Sequence, residues 1–244
     1  MTSKINHSCI TRPQRGTSLR TLLMMATALG LLAVGGNASA TPPAVGDRYV
    51  YRLTNGYNNE LRGQLSQQVE KIEGGRVFLA VTFERSGSKN ETTEIQTSEG
   101  YWLRHAITSR DQPLDYDFTQ AYPAYPLPLD PDKKWSIRVD AYVPAAGVQR
   151  SVRVDAKVIG AERIRVPAGE FDTIKIERSI YAGDAEYNLR ETNTAEVEWY
   201  APALGRSVRL VSKSEYRDIA KGIRNQLMRG DWNIFELTTI QKSN

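Results

Sequence analysis

Few side chains in this sequence could do covalent or metal chemistry. The 244-residue chain has one cysteine, Cys9, and only one of its two histidines, His105, lies beyond the first forty residues. A Ser-His-Asp or Cys-His nucleophile system would have to use His105, and a zinc site built from cysteine and histidine needs more such ligands. His105 lies in an alternating stretch, so we interpret it as a partly exposed strand residue and not as a catalytic base. The sequence predicts no cofactor, no metal and no catalytic residue.

Five aspartates lie in or beside a proline-rich segment, residues 112–134, and they are the other group with possible chemistry. Paired carboxylates are what glycoside hydrolysis requires. The spacing of the five selects no two of them, and acidic residues in a polar loop also serve solubility alone. We therefore expect solvated aspartates and not an active pair. The five are Asp111, Asp115, Asp117, Asp130 and Asp132.

The same proline-rich segment is the candidate loop for a ligand or a partner. It holds five of the eleven prolines, and proline cannot donate to a β-ladder, which predicts a long stiffened connection and not a central strand. Aromatic rings among the prolines argue against disorder. These rings suit a plug over an open end of a sheet as well as a ligand-facing loop, and the sequence leaves both open. The rings are Tyr116, Phe118, Tyr122 and Tyr125.

The rest of the chain shows the two-residue period of β-strands. Apolar side chains alternate with polar ones over residues 49–53, 135–143 and 152–158, which gives each strand one dry face and one wet face. About ten to twelve antiparallel strands in a single domain, residues 41–244, are predicted. That number favours a curved sheet that forms a half-barrel or barrel, or else splits into a sandwich. Residues 215–229 fit either one short helix or a wide hairpin, and we favour the hairpin.

Two turns punctuate the strands of the C-terminal half. Pro167 and Pro202 each fix a backbone angle, and Gly169 and Gly205 are predicted to take positive φ, so these residues serve the backbone and not a ligand. Trp199 shares an alternating face with Ala195 and Val197, which predicts that it belongs to the core.

The two turns also carry a family resemblance. Residues 166–172 read Val-Pro-Ala-Gly-Glu-Phe-Asp, and residues 199–205 read Trp-Tyr-Ala-Pro-Ala-Leu-Gly. This pair of motifs resembles the TapB-like group of exported bacterial proteins of unknown function. The resemblance implies a curved antiparallel sheet in the cell envelope, and it implies no catalytic residue.

An export signal is predicted at the N-terminus. Residues 1–20 hold four basic side chains and no acidic one, an apolar run covers residues 22–34, and Ala38-Ser39-Ala40 offers the small residues that a signal peptidase reads. The apolar run is shorter than a bilayer span, so we expect cleavage and no stable transmembrane anchor. Cys9 precedes the apolar run and cannot be a lipoprotein cysteine. A mature periplasmic protein should therefore begin at Thr41, which N-terminal sequencing of periplasmic material would check; a start at Met1 or Thr2 would contradict it.

Removal of residues 1–40 leaves an electrically neutral protein. The whole chain has 32 basic and 28 acidic residues, and the leader holds four of the basic ones. A nucleic-acid partner bound through a strong positive field is therefore not expected.

Two function classes remain. The first is a binding or carrier module that holds an apolar or lipid-like ligand against the concave face of a curved sheet. The second is an envelope assembly protein that docks a peptide or a polysaccharide through the Tyr/Pro-rich loop or an open sheet edge. An enzyme ranks third.

Overall fold

The computed structural model describes residues 42–109, 112–182, 189–218 and 226–243, and the predicted export signal lies outside them. Their dominant element is the β-strand, and two single-turn 3-10 helices, Pro144–Ala146 and Pro202–Leu204, join strands. The strands are β1 (Arg48–Asn55), β2 (Leu61–Glu73), β3 (Arg76–Arg85), β4 (Ser88–Thr97), β5 (Trp102–Ser109), β6 (Gln112–Tyr122), β7 (Lys134–Val143), β8 (Val148–Val166), β9 (Gly169–Ala182), β10 (Leu189–Ala201), β11 (Arg206–Asp218) and β12 (Gln226–Gln241).

The strands form a closed antiparallel barrel in which each strand pairs with its neighbours in sequence. The circle closes where β1 pairs with β12, from Arg48 opposite Gln241 to Asn55 opposite Asn233. This confirms the predicted all-β fold of ten to twelve antiparallel strands and selects the barrel among the predicted shapes. A closed circle has no terminal edge strand, which counts against docking of a partner at an open sheet edge. Within the described residues the ladder is thinnest where β4 meets β5 and where β6 meets β7, with two paired positions each.

Alternation along the strands sets which side chains fill the barrel. On β1, Tyr49, Tyr51 and Leu53 are buried as predicted. On β7 and β8 the apolar positions of the predicted faces, from Val139 to Val143 and from Val152 to Val158, are buried too. The described residues form four buried clusters, of which the two largest lie at β5 to β9 and at β1, β8, β10, β11 and β12.

The predicted glycine turns are confirmed. Gly205 has a φ of 64° directly after the 3-10 turn Pro202–Leu204, and Gly169 has a φ of 139° at the start of β9. Both values lie in the left-handed region, where a side chain with a Cβ is strained. The two prolines precede the glycines and set the approach of the chain, so the turns are backbone requirements.

Gly205→Val should therefore lower the free energy of unfolding by about 1 to 3 kcal/mol, because valine is poorly tolerated at positive φ. Urea unfolding measures it. Gly205→Asn is the matched control and should cost less, since asparagine adopts the left-handed conformation more readily. If Gly205→Val unfolds like the wild type yet loses a bound ligand, the turn is a recognition element.

The prediction that residues 112–134 form a connection and not a strand is wrong in its first half. Gln112–Tyr122 is strand β6, which pairs with β5 along most of its length and with β7 at Asp117 and Phe118. Only Pro113 of the five prolines falls in the strand, at its second residue, where a missing N–H disturbs the ladder least. The other four prolines lie in the loop 123–133.

The predicted dry face of β10 is also wrong. Ala195 is exposed, whereas the opposite face holds the buried Thr194, Glu198 and Tyr200. Trp199 is buried as predicted, but its Nε1–H donates to Glu162 at 3.1 Å and its ring lies near two cationic side chains of the neighbouring strands. A polar face of β10 therefore points into the barrel, where the sequence pattern predicts an apolar one.

The two ends of residues 215–229 pair with each other, which confirms the favoured hairpin over a helix. β11 continues to Asp218, and β12 begins at Gln226, with Tyr216 opposite Met228. The connection between these strands lies outside the described residues.

A buried aspartate connects β1 and β12, the two strands that close the barrel. The Asp47 carboxylate, 1% exposed, accepts hydrogen bonds from Lys242 Nζ at 2.8 Å and from the backbone N–H groups of Ala44 and Ser243 at 3.1 and 3.0 Å. Burial would raise the pKa of Asp47, but these donors outweigh it and lower the pKa to about 2. The carboxylate therefore links the start of β1 to the end of β12.

Asp47→Asn should lower the free energy of unfolding at pH 7 by about 1 to 2 kcal/mol, because the folded state favours the ionised carboxyl. A lowered pKa in the folded protein gives stability that is present above the ordinary pKa of 3.8 and is lost as the pH falls towards 2. The difference between variant and wild type should therefore shrink across that window. Urea titrations at several pH values measure it, and the exposed Asp172→Asn is the control; a difference that stays constant with pH would contradict the assignment.

Candidate functional site

A cavity of about 610 Å³ lies inside the barrel. Its volume is within the range of small-molecule sites in proteins, roughly 300 to 1,000 Å³. Strands from both halves of the chain contribute to its wall, so the cavity is a product of barrel closure. The apolar part of its lining comprises Leu65, Val81, Phe83, Ile107, Leu114, Ile180, Leu210 and Phe235.

The polar part of the wall centres on Arg178 of β9, whose side chain is 1% exposed. One guanidinium nitrogen pairs with the Glu198 carboxylate on β10, and the other donates to the Ala124 carbonyl at 3.0 Å. Tyr125 donates its hydroxyl to the same carboxylate at 2.6 Å, and its ring centroid lies 5.1 Å from the guanidinium carbon. Arg178 therefore joins the wall of the barrel to the loop 123–133.

Electrostatics keep this group ionised in spite of burial. Burial would lower the pKa of Arg178, but Glu198 and the other acidic groups around it outweigh burial and raise the pKa above its usual value. Burial raises the pKa of Tyr125 well above its usual value, and the neighbouring Glu198 carboxylate adds to the effect. Tyr125 therefore stays a neutral hydrogen-bond donor, and Arg178 stays a cation.

Glu196 is the second carboxylate beside Arg178 and is held more loosely. Its Oε2 lies 4.0 Å from Arg178 Nη1, beyond hydrogen-bond distance, and its side chain is 14% exposed. Burial raises the pKa of Glu196, and the attraction of Arg178 does not fully offset it. Arg178 is thus shared between two carboxylates, of which Glu198 forms the closer contact.

A second acid–base pair lies on the wall at β4 and β5. His105 Nδ1 is 2.7 Å from the Glu94 carboxylate, and the imidazole stacks on the Trp102 ring with centroids 3.7 Å apart. Burial would raise the pKa of Glu94, but the adjacent His105 and Arg206 lower it below its usual value. His105, interpreted from sequence as a partly exposed strand residue, is on a strand and half-buried, and it lines the cavity.

Arg206, at the start of β11, also lines the cavity. It donates to Gln67 Oε1 at 2.9 Å, and its guanidinium carbon lies 3.5 Å from the centroid of Tyr49. Arg206 directly follows the turn that ends at Gly205, so the turn determines where this side chain lies. The structural turn predicted from sequence therefore also places a cavity residue.

The aromatic residues of the candidate loop are mostly interior. Tyr116 and Tyr122 are buried, and Phe118 stacks on Tyr122 with centroids 5.9 Å apart. Tyr125 stacks on Tyr200 at 4.2 Å and lines the cavity. Three of the four rings therefore belong to strand β6 and its core, and Tyr125 alone lies in the loop 123–133, where it lines the cavity.

The predicted aspartates are not brought together. Asp115 accepts a hydrogen bond from Thr92, Asp117 pairs with Arg104, and Asp132 lies 2.9 Å from Lys157. Asp111 lies outside the described residues, and Asp130 does not line the cavity. Across the described ranges no three metal-ligating side chains cluster, and no helix there is both long and apolar enough to cross a bilayer.

Sequence reasoning missed the polar wall of the cavity, although its pattern contains the signal. Arg178 shares the parity of Ile176 and Ile180, so the alternation on β9 already places an arginine on the buried face. Glu196 and Glu198 share parity with Thr194 and lie opposite Arg178 and Ile176 in the ladder. A buried arginine on one strand requires buried acids on a neighbour, and that rule would have identified the true inward face of β10.

Comparison with known proteins gives one family match and several solved structures that align with the chain. The model of a family described as DUF3108-like matches residues 85–216, more than half of the chain. No curated protein matches the chain.

The solved structures are distant in sequence. A candidate lipoprotein from Parabacteroides distasonis is 17% identical, with 82% of this chain and 97% of the other covered and a TM-score of 0.49. A candidate exported protein with a YmcC-like fold from Bacteroides fragilis is 15% identical, with 84% and 100% covered and a TM-score of 0.49. The hypothetical lipoprotein YmcC from Escherichia coli is 12% identical, with 80% and 84% covered and a TM-score of 0.40.

Proposed function

Since this chain belongs to the DUF3108-like family and forms a closed barrel around a cavity, we propose that it is an exported, non-catalytic carrier that binds an apolar or lipid-like small molecule inside the barrel. The observation that carries the proposal is the cavity itself: about 610 Å³ of space remains after the side chains of twelve strands have packed. We retain the narrower TapB-like resemblance as part of the proposal, because both turn motifs lie within the matched residues 85–216.

The mixed lining supports an amphiphilic ligand over a purely apolar one. Val81, Phe83 and Leu114 offer an apolar wall, while Arg178, Glu196 and Glu198 form a polar group on strands β9 and β10. Ligand sites of this kind bury most of the ligand against apolar side chains and orient it with a few polar groups. We therefore propose that a hydrocarbon portion contacts the first set and that a polar head lies near the second.

The alternative, an assembly protein that docks a peptide or polysaccharide through the Tyr/Pro-rich loop, is less favoured. Tyr116 and Tyr122 are buried, and the Tyr125 hydroxyl is engaged with Glu198, so few of the predicted contact rings face outward.

Retention of a ligand and occupation of the cavity test the proposal. Purified protein should release a small molecule on organic extraction, detected by mass spectrometry, and should bind the neutral fluorophore N-phenyl-1-naphthylamine. Val81→Trp, which fills the cavity from β3, should abolish both signals. Thr82→Trp is the matched control, because it lies next along the same strand and does not line the cavity. Wild-type protein that yields no extractable molecule and does not bind the fluorophore would contradict a carrier.

A further inference from the structure

The charged groups that line the cavity are predominantly acidic. Six carboxylates face three arginines, and His105 completes the set. The arginines are Arg85, Arg178 and Arg206, and the carboxylates are Glu91, Glu94, Asp115, Glu196, Glu198 and Asp231.

Internal pairing accounts for most of these carboxylates. Glu198 forms the close ion pair with Arg178, and the Glu94 carboxylate lies within hydrogen-bond distance of His105 Nδ1. Asp231 forms an ion pair with Arg62 at 2.7 Å, and Glu91 forms one with Lys89 at 2.5 Å. Asp115 accepts a hydrogen bond from the Thr92 hydroxyl. Among the described residues, Glu196 is the cavity carboxylate whose nearest cation, Arg178, stands at 4.0 Å and already serves another carboxylate.

A second, independent feature beside Glu196 also points to a ligand. Thr194 precedes Glu196 by two residues on β10, so the two side chains share the inward face. Thr194 is 3% exposed and lines the cavity, and within the described part of the chain its hydroxyl oxygen has no hydrogen-bond partner. A buried hydroxyl without a partner costs free energy, which a ligand group that hydrogen-bonds to it would recover.

We propose that the cavity selects amphiphiles whose head group carries a positive charge of the amine type, and that Glu196, with Thr194 beside it, binds that group. This inference rests on the proposed carrier function and specifies its ligand class. An ammonium head donates several hydrogen bonds, which suits one incompletely paired carboxylate and one free hydroxyl oxygen. Its charge also complements the Glu196 carboxylate, whereas an anionic head at the same place would be repelled by it.

The geometry explains why Glu196 and not Glu198 takes this role. Glu198 is occupied on both oxygens, by Tyr125 at Oε1 and by Arg178 at Oε2. Glu196 keeps its carboxylate partly accessible from the cavity, and its pKa is raised because burial is not fully offset. A bound cation would supply the missing compensation and stabilise the ionised carboxylate.

Three probes of equal chain length and different head charge test the inference: decylamine, decanol and decanoate. Each is measured by displacement of N-phenyl-1-naphthylamine from the wild-type protein at pH 7. We expect decylamine to bind most tightly and decanoate least. In Glu196→Gln the affinity for decylamine should fall by about tenfold or more, the usual effect of losing a charge-assisted hydrogen bond, and that for decanol should stay unchanged.

Glu177→Gln is the control, because it removes the same charge from the adjacent strand β9 at an exposed position that does not line the cavity. It should leave all three affinities unchanged. A purely structural role of Glu196 would instead lower the melting temperature and weaken decanol and decylamine together, which would overturn the inference. Equal binding of the three probes by wild-type protein, or tighter binding of decanoate, would overturn it while leaving the carrier function in place. Failure of decanol and the fluorophore to bind would count against both.

Discussion

Arg178→Met should lower the free energy of unfolding by about 3 to 5 kcal/mol, the usual cost of removing one partner from a buried ion pair. The loss arises because Glu198 and Glu196 would remain in the wall of the barrel without their shared cation. The Ala124 carbonyl would also lose its donor, and the loop 123–133 would lose its attachment to β9. Urea unfolding at pH 7, followed by circular dichroism, measures the effect.

Two further variants separate burial from charge. The double variant Arg178→Met with Glu198→Gln should recover part of the loss, because the carboxylate left without its cation is then neutral. Arg163→Met should change little, since Arg163 is largely exposed in its ion pair with Asp172. An Arg178→Met protein as stable as the wild type would show that this ion pair does not contribute to stability as the structure indicates.

Trp199→Ala should lower the free energy of unfolding by about 3 to 5 kcal/mol, because a large buried ring is deleted. Trp199 packs in the cluster that includes Val166 and Ala201, on the face of β10 that does not line the cavity. Lys175 and Arg209 lie 5.1 and 5.0 Å from its ring, and its Nε1–H donates to Glu162. Removal of the ring would therefore leave a void, and Lys175, Arg209 and Glu162 would each lose a contact.

Tyr181→Ala is the matched control for this prediction. Tyr181 also carries a cation over its ring, with the Arg153 guanidinium carbon at 4.4 Å, but it is exposed. Its removal should cost less than about 1 kcal/mol, the range of an exposed cation–π contact. Similar losses for the two variants in urea titrations would mean that the cationic contacts, and not burial, determine the stability contributed by Trp199.

Many strands of this chain could be predicted, because apolar and polar side chains alternate along any strand that buries one apolar face. Residues 135–143 and 152–158 have apolar inward faces, and both were assigned correctly. The turns at Gly169 and Gly205 could be predicted as well, because proline and glycine determine backbone geometry locally. Closure of the barrel follows from strand number only as one of several possibilities, since no local pattern encodes the pairing of β1 with β12.

The candidate site could not be predicted in the same way, because its inward faces are polar. On β10 the apolar residues Ala195 and Val197 point away from the cavity, so a rule that sends apolar side chains inward selects the wrong face. The prolines mark residues 112–134 as unusual, but the contact of Ala124 with Arg178 joins residues 54 positions apart. Long-range pairing of buried charges is a property of the folded barrel and not of any short segment.

Joining the first strand to the last also has a kinetic consequence. Asp47 and Lys242 bond across 195 residues of sequence, so the barrel cannot close until nearly all of the described chain has been synthesised. Contacts of such high sequence separation slow folding, because the entropy of forming a large loop is lost before the contact is gained. Until β12 arrives, β1 presents an unpaired edge, and neighbouring copies could pair with it. Refolding should thus grow more prone to aggregation as protein concentration rises, even though the finished barrel offers no such edge.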